Sequence, residues 1–96
     1  MNITDVRLKL MNDMGDENSL LATVSITIDG CFVVHKIGIR RRGSGYLVTM
    51  PSEQMADGSH RDIAHPINAE ARAEVERCVI ARYEQEVKER NSASAV

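Results

Sequence analysis

Tryptophan is absent, and Phe32, Tyr46 and Tyr83 are the only aromatic residues among 96. The core must therefore be aliphatic, and a ring platform for stacking single-stranded bases is poorly supported. No apolar run approaches the ~18 residues of a membrane-spanning helix, and the opening Met1-Asn2-Ile3-Thr4-Asp5 lacks signal-peptide character. The expected location is the cytoplasm, with no membrane partner. Cysteine is scarce as well. Cys31 and Cys78 belong to no CxxC or CxxH pair, so two free, mostly buried thiols are expected in a reducing compartment. There is no excess of basic charge: the formal net charge is −2. Residues 1–50 hold six Lys/Arg and five Asp/Glu, whereas residues 51–96 hold six and nine. Any electrostatic site must be local.

What is present fits one domain over residues 1–90, followed by a disordered small-residue tail at 91–96. Apolar residues make up 43% and charged residues 27% of the chain, which argues against wholesale disorder. A domain of this size buries roughly 65% of its unfolded surface and gains from oligomerisation.

Residues 5–10 alternate Asp5, Arg7 and Lys9 with Val6, Leu8 and Leu10, the period of a half-buried strand. Residues 11–19 are polar and read as a loop. Leu20, Ala22, Val24, Ile26 and Ile28 alternate with Thr23, Ser25 and Thr27 in a second strand. Asp29-Gly30 follows, the strongest short hairpin signal. A third strand over 31–40 starts apolar on both faces (Phe32, Val33, Val34), which suggests a central position, and ends in Arg40-Arg41-Arg42. Gly43-Ser44-Gly45 makes the next turn. Tyr46–Met50 reads as a fourth strand, ended by Pro51. Residues 51–67 have no clean period, and a short fifth strand within 60–67 is compatible with them. Asn68 caps a helix from Ala69 to about Arg90, a stretch free of Gly and Pro. The expected fold is α+β: a four- to five-stranded antiparallel sheet with one long C-terminal helix.

A helix of ~22 residues is about 33 Å long. Four strands span only about 19 Å across and roughly 25 Å along. The overhanging Tyr83 and Val87 then need a second cover, and a homodimer is expected to supply it. A helix fraying after Ala81 would remove that need.

The runs Phe32-Val33-Val34-His35, Met50-Pro51-Ser52, Asp57-Gly58 and, above all, Arg61-Asp62-Ile63-Ala64-His65-Pro66-Ile67-Asn68 resemble the stage V sporulation protein G (SpoVG, septation protein) family. The opening Thr4-Asp5-Val6-Arg7-Leu8 fits too, so the resemblance covers about residues 3–84. It implies a small bacterial cytoplasmic homodimer with an antiparallel sheet and a C-terminal helix. It also implies a regulatory role in septation, cell division or sporulation, with DNA or RNA as partner and no catalysis. Family members usually carry a basic pair directly after Met-Pro-Ser. Here Glu53 and Gln54 stand there, so nucleic-acid affinity is expected to be weakened.

Lys36, Arg40, Arg41, Arg42 and Arg61 are the candidate nucleic-acid contacts, acting as phosphate donors that do not read sequence. Alternation puts Arg40 and Arg42 on the face of Lys36, with Arg41 on the other. The plainer reading of the arginine run is a solvated strand end that discourages edge pairing. For Arg61-Asp62 the plainer reading is a tie between the irregular segment and the sheet or the other subunit, with Ile63 and Ile67 as anchors. His35, His60 and His65 show no metal-ligand spacing, and His35 reads as a core histidine on the face of Val33 and Ile37. Ser52 can be assembled on paper with His60 or His65 and Asp57 or Asp62, but no nucleophile elbow or P-loop is present. No enzyme activity, metal or cofactor is expected. The second reading is a dimeric protein-interaction module without significant nucleic-acid binding, which Glu53, Gln54 and the net negative charge favour.

Overall fold

The alternating segments pair into a four-stranded antiparallel meander in the computed structural model, which describes residues 1–11 and 17–94. The strands are β1 (Ile3–Leu10), β2 (Leu20–Ile28), β3 (Phe32–Arg42) and β4 (Gly45–Thr49), in the order β1-β2-β3-β4. Asp29 and Gly30 both have positive φ, at 52° and 67°, as the tight I′ hairpin turn requires. The Cys31 N–H closes that turn on the Ile28 carbonyl at 3.1 Å. Val6↔Ile26, Leu8↔Val24 and Leu10↔Ala22 are cross-strand partners, which gathers the apolar side chains of β1 and β2 on one face. Of the polar loop expected at 11–19, residues 12–16 lie outside the described residues.

Two irregularities in the β2–β3 pairing break the period. Leu20 pairs with Arg40 and Ala22 with Ile39, so β2 carries an extra residue there. Leu21 turns inward and is buried. Val24 pairs with Ile37 and Ile26 with Val34, so His35 and Lys36 together face Ser25. Lys36 absorbs this bulge with φ at 65°, a conformation that favours glycine over residues with a Cβ. Val34 and Ile37 can then both face the core. His35 is therefore not the core histidine expected from unbroken alternation. It is exposed, with Nδ1 2.8 Å from the Ser25 hydroxyl. A left-handed lysine costs about 1–2 kcal/mol. Lys36→Gly is expected to gain up to about 1 kcal/mol in urea unfolding, part of the relief being offset by glycine's entropy. Lys36→Ala, which keeps the strain, is expected to gain nothing.

β3 is central in the order, but it pairs with β4 only from Gly38 onward. Its first half borders β2 alone, which leaves Phe32 65% and Val33 46% exposed. Cys31 is exposed at the hairpin rather than buried, and both cysteines are free thiols.

Pro51 is buried and ends the meander. Beyond it, β5 (Ser52–Gln54) pairs with β6 (His60–Asp62) in a separate two-stranded sheet. The strand expected within 60–67 thus exists, but it joins β5 and adds no fifth strand to the meander. Every residue of this hairpin is exposed. The Ile63 N–H donates to the Pro51 carbonyl at 2.7 Å, which ties the base of the hairpin. Ile63 and Ile67 do not anchor the segment: they are 65% and 88% exposed. Ala64 and Pro66 turn toward the domain instead, lining a small apolar cavity of about 120 Å³ with Ile28, Val34, Met50 and Val75.

The helix α1 (Ala69–Ser94) begins where the Asn68 carboxamide oxygen accepts from the Ala71 N–H at 2.7 Å, an N-cap bond. It continues past Arg90 because residues 91–94 contain no Gly or Pro. Residues 95 and 96 of the expected tail lie outside the described residues. Val75, Val79 and Tyr83, spaced by four, press onto the apolar sheet face. The ring of Tyr83 meets that of Tyr46 edge to face at 5.3 Å and 71°, a favoured aromatic geometry. Tyr83 is only 8% exposed and Val87 packs against the same cluster. The chain covers these two residues itself, with Tyr46 of β4 against Tyr83 and the core cluster against Val87. No described helix is long and apolar enough to cross a membrane.

Candidate functional site

The sheet face turned away from α1 carries the polar half of each alternation. On β3 that half is Lys36, Gly38, Arg40 and Arg42. Lys36 and Arg40 line one groove of about 440 Å³ together with Thr23 from β2, Thr49 from β4 and Ser52 from β5, and Leu20, Ile37 and Met50 supply its apolar lining. Gly38 lies between the two cations. A Cβ added there would lie 2.7 Å from Thr49 Oγ1 and 3.3 Å from Leu20 Cδ1. Glycine keeps this part of the groove open. Two cationic side chains and three hydroxyls around a space of this size suit an anion with several acceptor oxygens.

The five candidate contacts do not form one cluster. Lys36 and Arg40 share the groove, and Arg42 is exposed at the end of the same strand face. Arg41 is half-buried on the opposite face, in register with Tyr46. Its backbone accepts from Asn18 N–H at 2.9 Å and donates to the Ser19 carbonyl at 3.0 Å. Arg61 belongs to the second hairpin, where it stands opposite Glu53 and pairs with that carboxylate at 3.4 Å. Glu53 thus offsets the charge of Arg61. An ion pair this exposed contributes little to stability.

The end of the 11–19 loop meets the arginine run directly. Arg40 Nη1 donates to the Asn18 carbonyl at 3.1 Å. The Gly43 N–H donates to both carboxylate oxygens of Glu17, each at 3.1 Å. Gly43 has φ at 55°, a left-handed turn that presents its amide outward.

Ser52 stands opposite Asp62, and His60 opposite Gln54. Among the described residues no hydrogen bond joins Ser52 to His60 or His65, so no nucleophile–base line is assembled. Among the described residues no group of three or more His, Cys, Asp or Glu is placed to hold a metal. Asp57 serves the turn of the second hairpin. Its carboxylate accepts from the Ser59 hydroxyl at 2.6 Å and the Ser59 N–H at 2.9 Å, and these bonds hold its pKa below the usual range.

Thr23, Thr49, Gly38 and Glu17 were not among the sequence-derived candidates, and Ser52 was named only as a nucleophile. For Gly38 the signal was present, because Lys36-x-Gly38-x-Arg40 places all three on one strand face. The contributions of Thr49, Ser52 and Glu17 depend on how β4, β5 and the loop return to β3.

A family model described as SpoVG matches residues 1–85. Three relatives carrying the name "Putative septation protein SpoVG" show the extent of the likeness. The Desulforudis audaxviator protein is 46% identical over 84 residues, covering 88% of this chain and 92% of its own. The Lachnospira eligens protein is 45% identical over 85 residues, covering 88% and 93%. The Myxococcus xanthus protein is 40% identical over 85 residues, covering 88% and 82%. These names are those of septation proteins, not of enzymes. With the family model spanning most of the chain and relatives of this identity aligned over nearly their full length, the chain belongs to the SpoVG family.

Proposed function

We propose that this chain is a homodimeric bacterial regulator of septation or sporulation that binds the phosphate backbone of DNA or RNA through the sheet groove. The observation that carries the reading is the placement of Lys36 and Arg40 in one groove that Thr23, Thr49 and Ser52 also line. Arg42 extends the positive face toward the turn. The names of the relatives support the process. Arg41 and Arg61 are left out of the contact set, the first by its inward face and the second by Glu53. Dimerisation fits the exposed Ile63, Ile67 and Phe32, and it would present two grooves.

Backbone contact of this kind is salt-dependent and indifferent to sequence. Three cations per chain, six per dimer, predict a log–log salt slope of about −5 on duplex DNA and a loss of about 10³ in affinity from 50 to 200 mM salt. Fluorescence anisotropy with a mixed-sequence duplex and a single-stranded RNA measures both quantities. Sedimentation equilibrium, run alongside, is expected to give twice the chain mass. Absence of binding to either nucleic acid at 50 mM salt sinks the reading.

The second hairpin favours another function. It is exposed throughout, its Arg61 is paired with Glu53, and exposed Ile63 and Ile67 flank it. Such an arm suits a protein partner, and the interaction-module reading takes over if nucleic-acid binding fails.

A further inference from the structure

We propose that the β3–β4 turn is a second phosphate seat, and that the chain's own Glu17 carboxylate occupies it. The inference rests on the nucleic-acid reading above and adds a built-in competitor to it.

The Gly43 N–H holds the Glu17 carboxylate, and three further hydrogen bonds hold the backbone that follows it. Both of its oxygens accept from the Gly43 N–H at 3.1 Å. The next residue, Asn18, receives the Arg40 guanidinium on its carbonyl at 3.1 Å. The Asn18 N–H donates to the Arg41 carbonyl at 2.9 Å, and the Arg41 N–H donates to the Ser19 carbonyl at 3.0 Å, which extends the β3 ladder to this segment. The Gly43 amide, in a left-handed turn beside the exposed Arg42, offers one N–H and one guanidinium to an anion. A carboxylate and a phosphate diester make the same demand on it: acceptor oxygens carrying negative charge. Glu17 is exposed, so an incoming phosphate exchanges one solvent-facing anion for another and strands no buried group. Because the seat lies beside Arg42 and Arg40 also lines the groove, a backbone lying in the groove reaches the turn along the same strand. In the free chain Glu17 offsets part of the positive charge there. When nucleic acid binds, its phosphate displaces Glu17.

The test uses the full chain with Glu17→Gln and Glu17→Ala, against a fluorescein-labelled mixed-sequence DNA duplex and a single-stranded RNA. Lys36→Ala/Arg40→Ala is run in parallel. Glutamine keeps an oxygen for the Gly43 N–H and removes only the charge, so it controls for folding. Both Glu17 variants are expected to bind about fivefold more tightly at 50 mM salt, the factor that one unit charge at contact distance carries in water. Their salt slope is expected to steepen by about 1 per chain. Unchanged or weaker binding by both Glu17 variants, with affinity lost in Lys36→Ala/Arg40→Ala, overturns the seat and leaves the groove standing. Failure of every protein to bind overturns both.

Discussion

Lys36→Ala/Arg40→Ala is expected to flatten the salt slope on duplex DNA from about −5 to about −2 and to weaken binding by tenfold or more at 50 mM salt. Both side chains line the same groove, and neither belongs to the buried core. Their removal should therefore leave the thermal unfolding midpoint close to that of the parent. The contrast with neighbouring cations gives the prediction its force. Arg61→Ala is expected to change affinity little, because Glu53 already offsets that charge. Alanine at all three of Arg40, Arg41 and Arg42 is a poorer experiment. Arg41 lies on the helix-facing side of β3 in register with Tyr46, so the triple variant mixes loss of packing with loss of phosphate contact. Equal losses from Arg61→Ala and from the groove pair would show that general charge, not this groove, sets the affinity.

Ile39→Ala is expected to cost about 2–5 kcal/mol in urea unfolding, as truncation of a buried isoleucine does. Against the roughly 5–15 kcal/mol of an ordinary domain, that leaves a marginally folded chain. Ile39 is completely buried, as is Ile37 beyond the bulge. With an aliphatic core there are few large side chains to share the loss. Ile67→Ala provides the internal contrast. That residue is 88% exposed, and its truncation is expected to fall within about 0.5 kcal/mol. Similar costs at the two positions would contradict the placement of the 63–67 segment.

The meander and the helix were legible because their signals are local and regular. Val6, Leu8 and Leu10 alternate, Asp29-Gly30 carries the two positive φ angles of a tight hairpin, and Asn68 caps α1 through its own side chain. The bulge at Lys36 was not legible, because lysine is not a residue type that marks a left-handed position. One inserted residue reverses the alternation behind it, so His35 is exposed where unbroken pairing would bury it. The 51–67 segment failed for a different reason. Its strands are three residues long and wholly exposed, so no apolar period marks them.

The candidate site shows the same division. Lys36, Arg40 and Arg42 could be placed on one face by counting residues along β3. That Arg61 faces Glu53 could not, since β5 was not visible in the sequence. Average strand dimensions alone leave the far end of α1 overhanging the sheet. Tyr46, which meets Tyr83 across the domain, supplies the cover that those dimensions lack. The proposed dimer draws on exposed Ile63 and Ile67 after the second hairpin and on exposed Phe32 and Val33 in early β3.

The central claim is that the outward face of β3 receives phosphate. The most direct measurement is a titration of ¹⁵N-labelled protein with a short DNA duplex, followed by amide chemical shifts. The account predicts that Lys36, Gly38, Arg40, Arg42, Gly43 and Thr49 move first and furthest. Shifts confined to α1 or to the Ser52–Asp62 hairpin, with β3 unmoved, would contradict it.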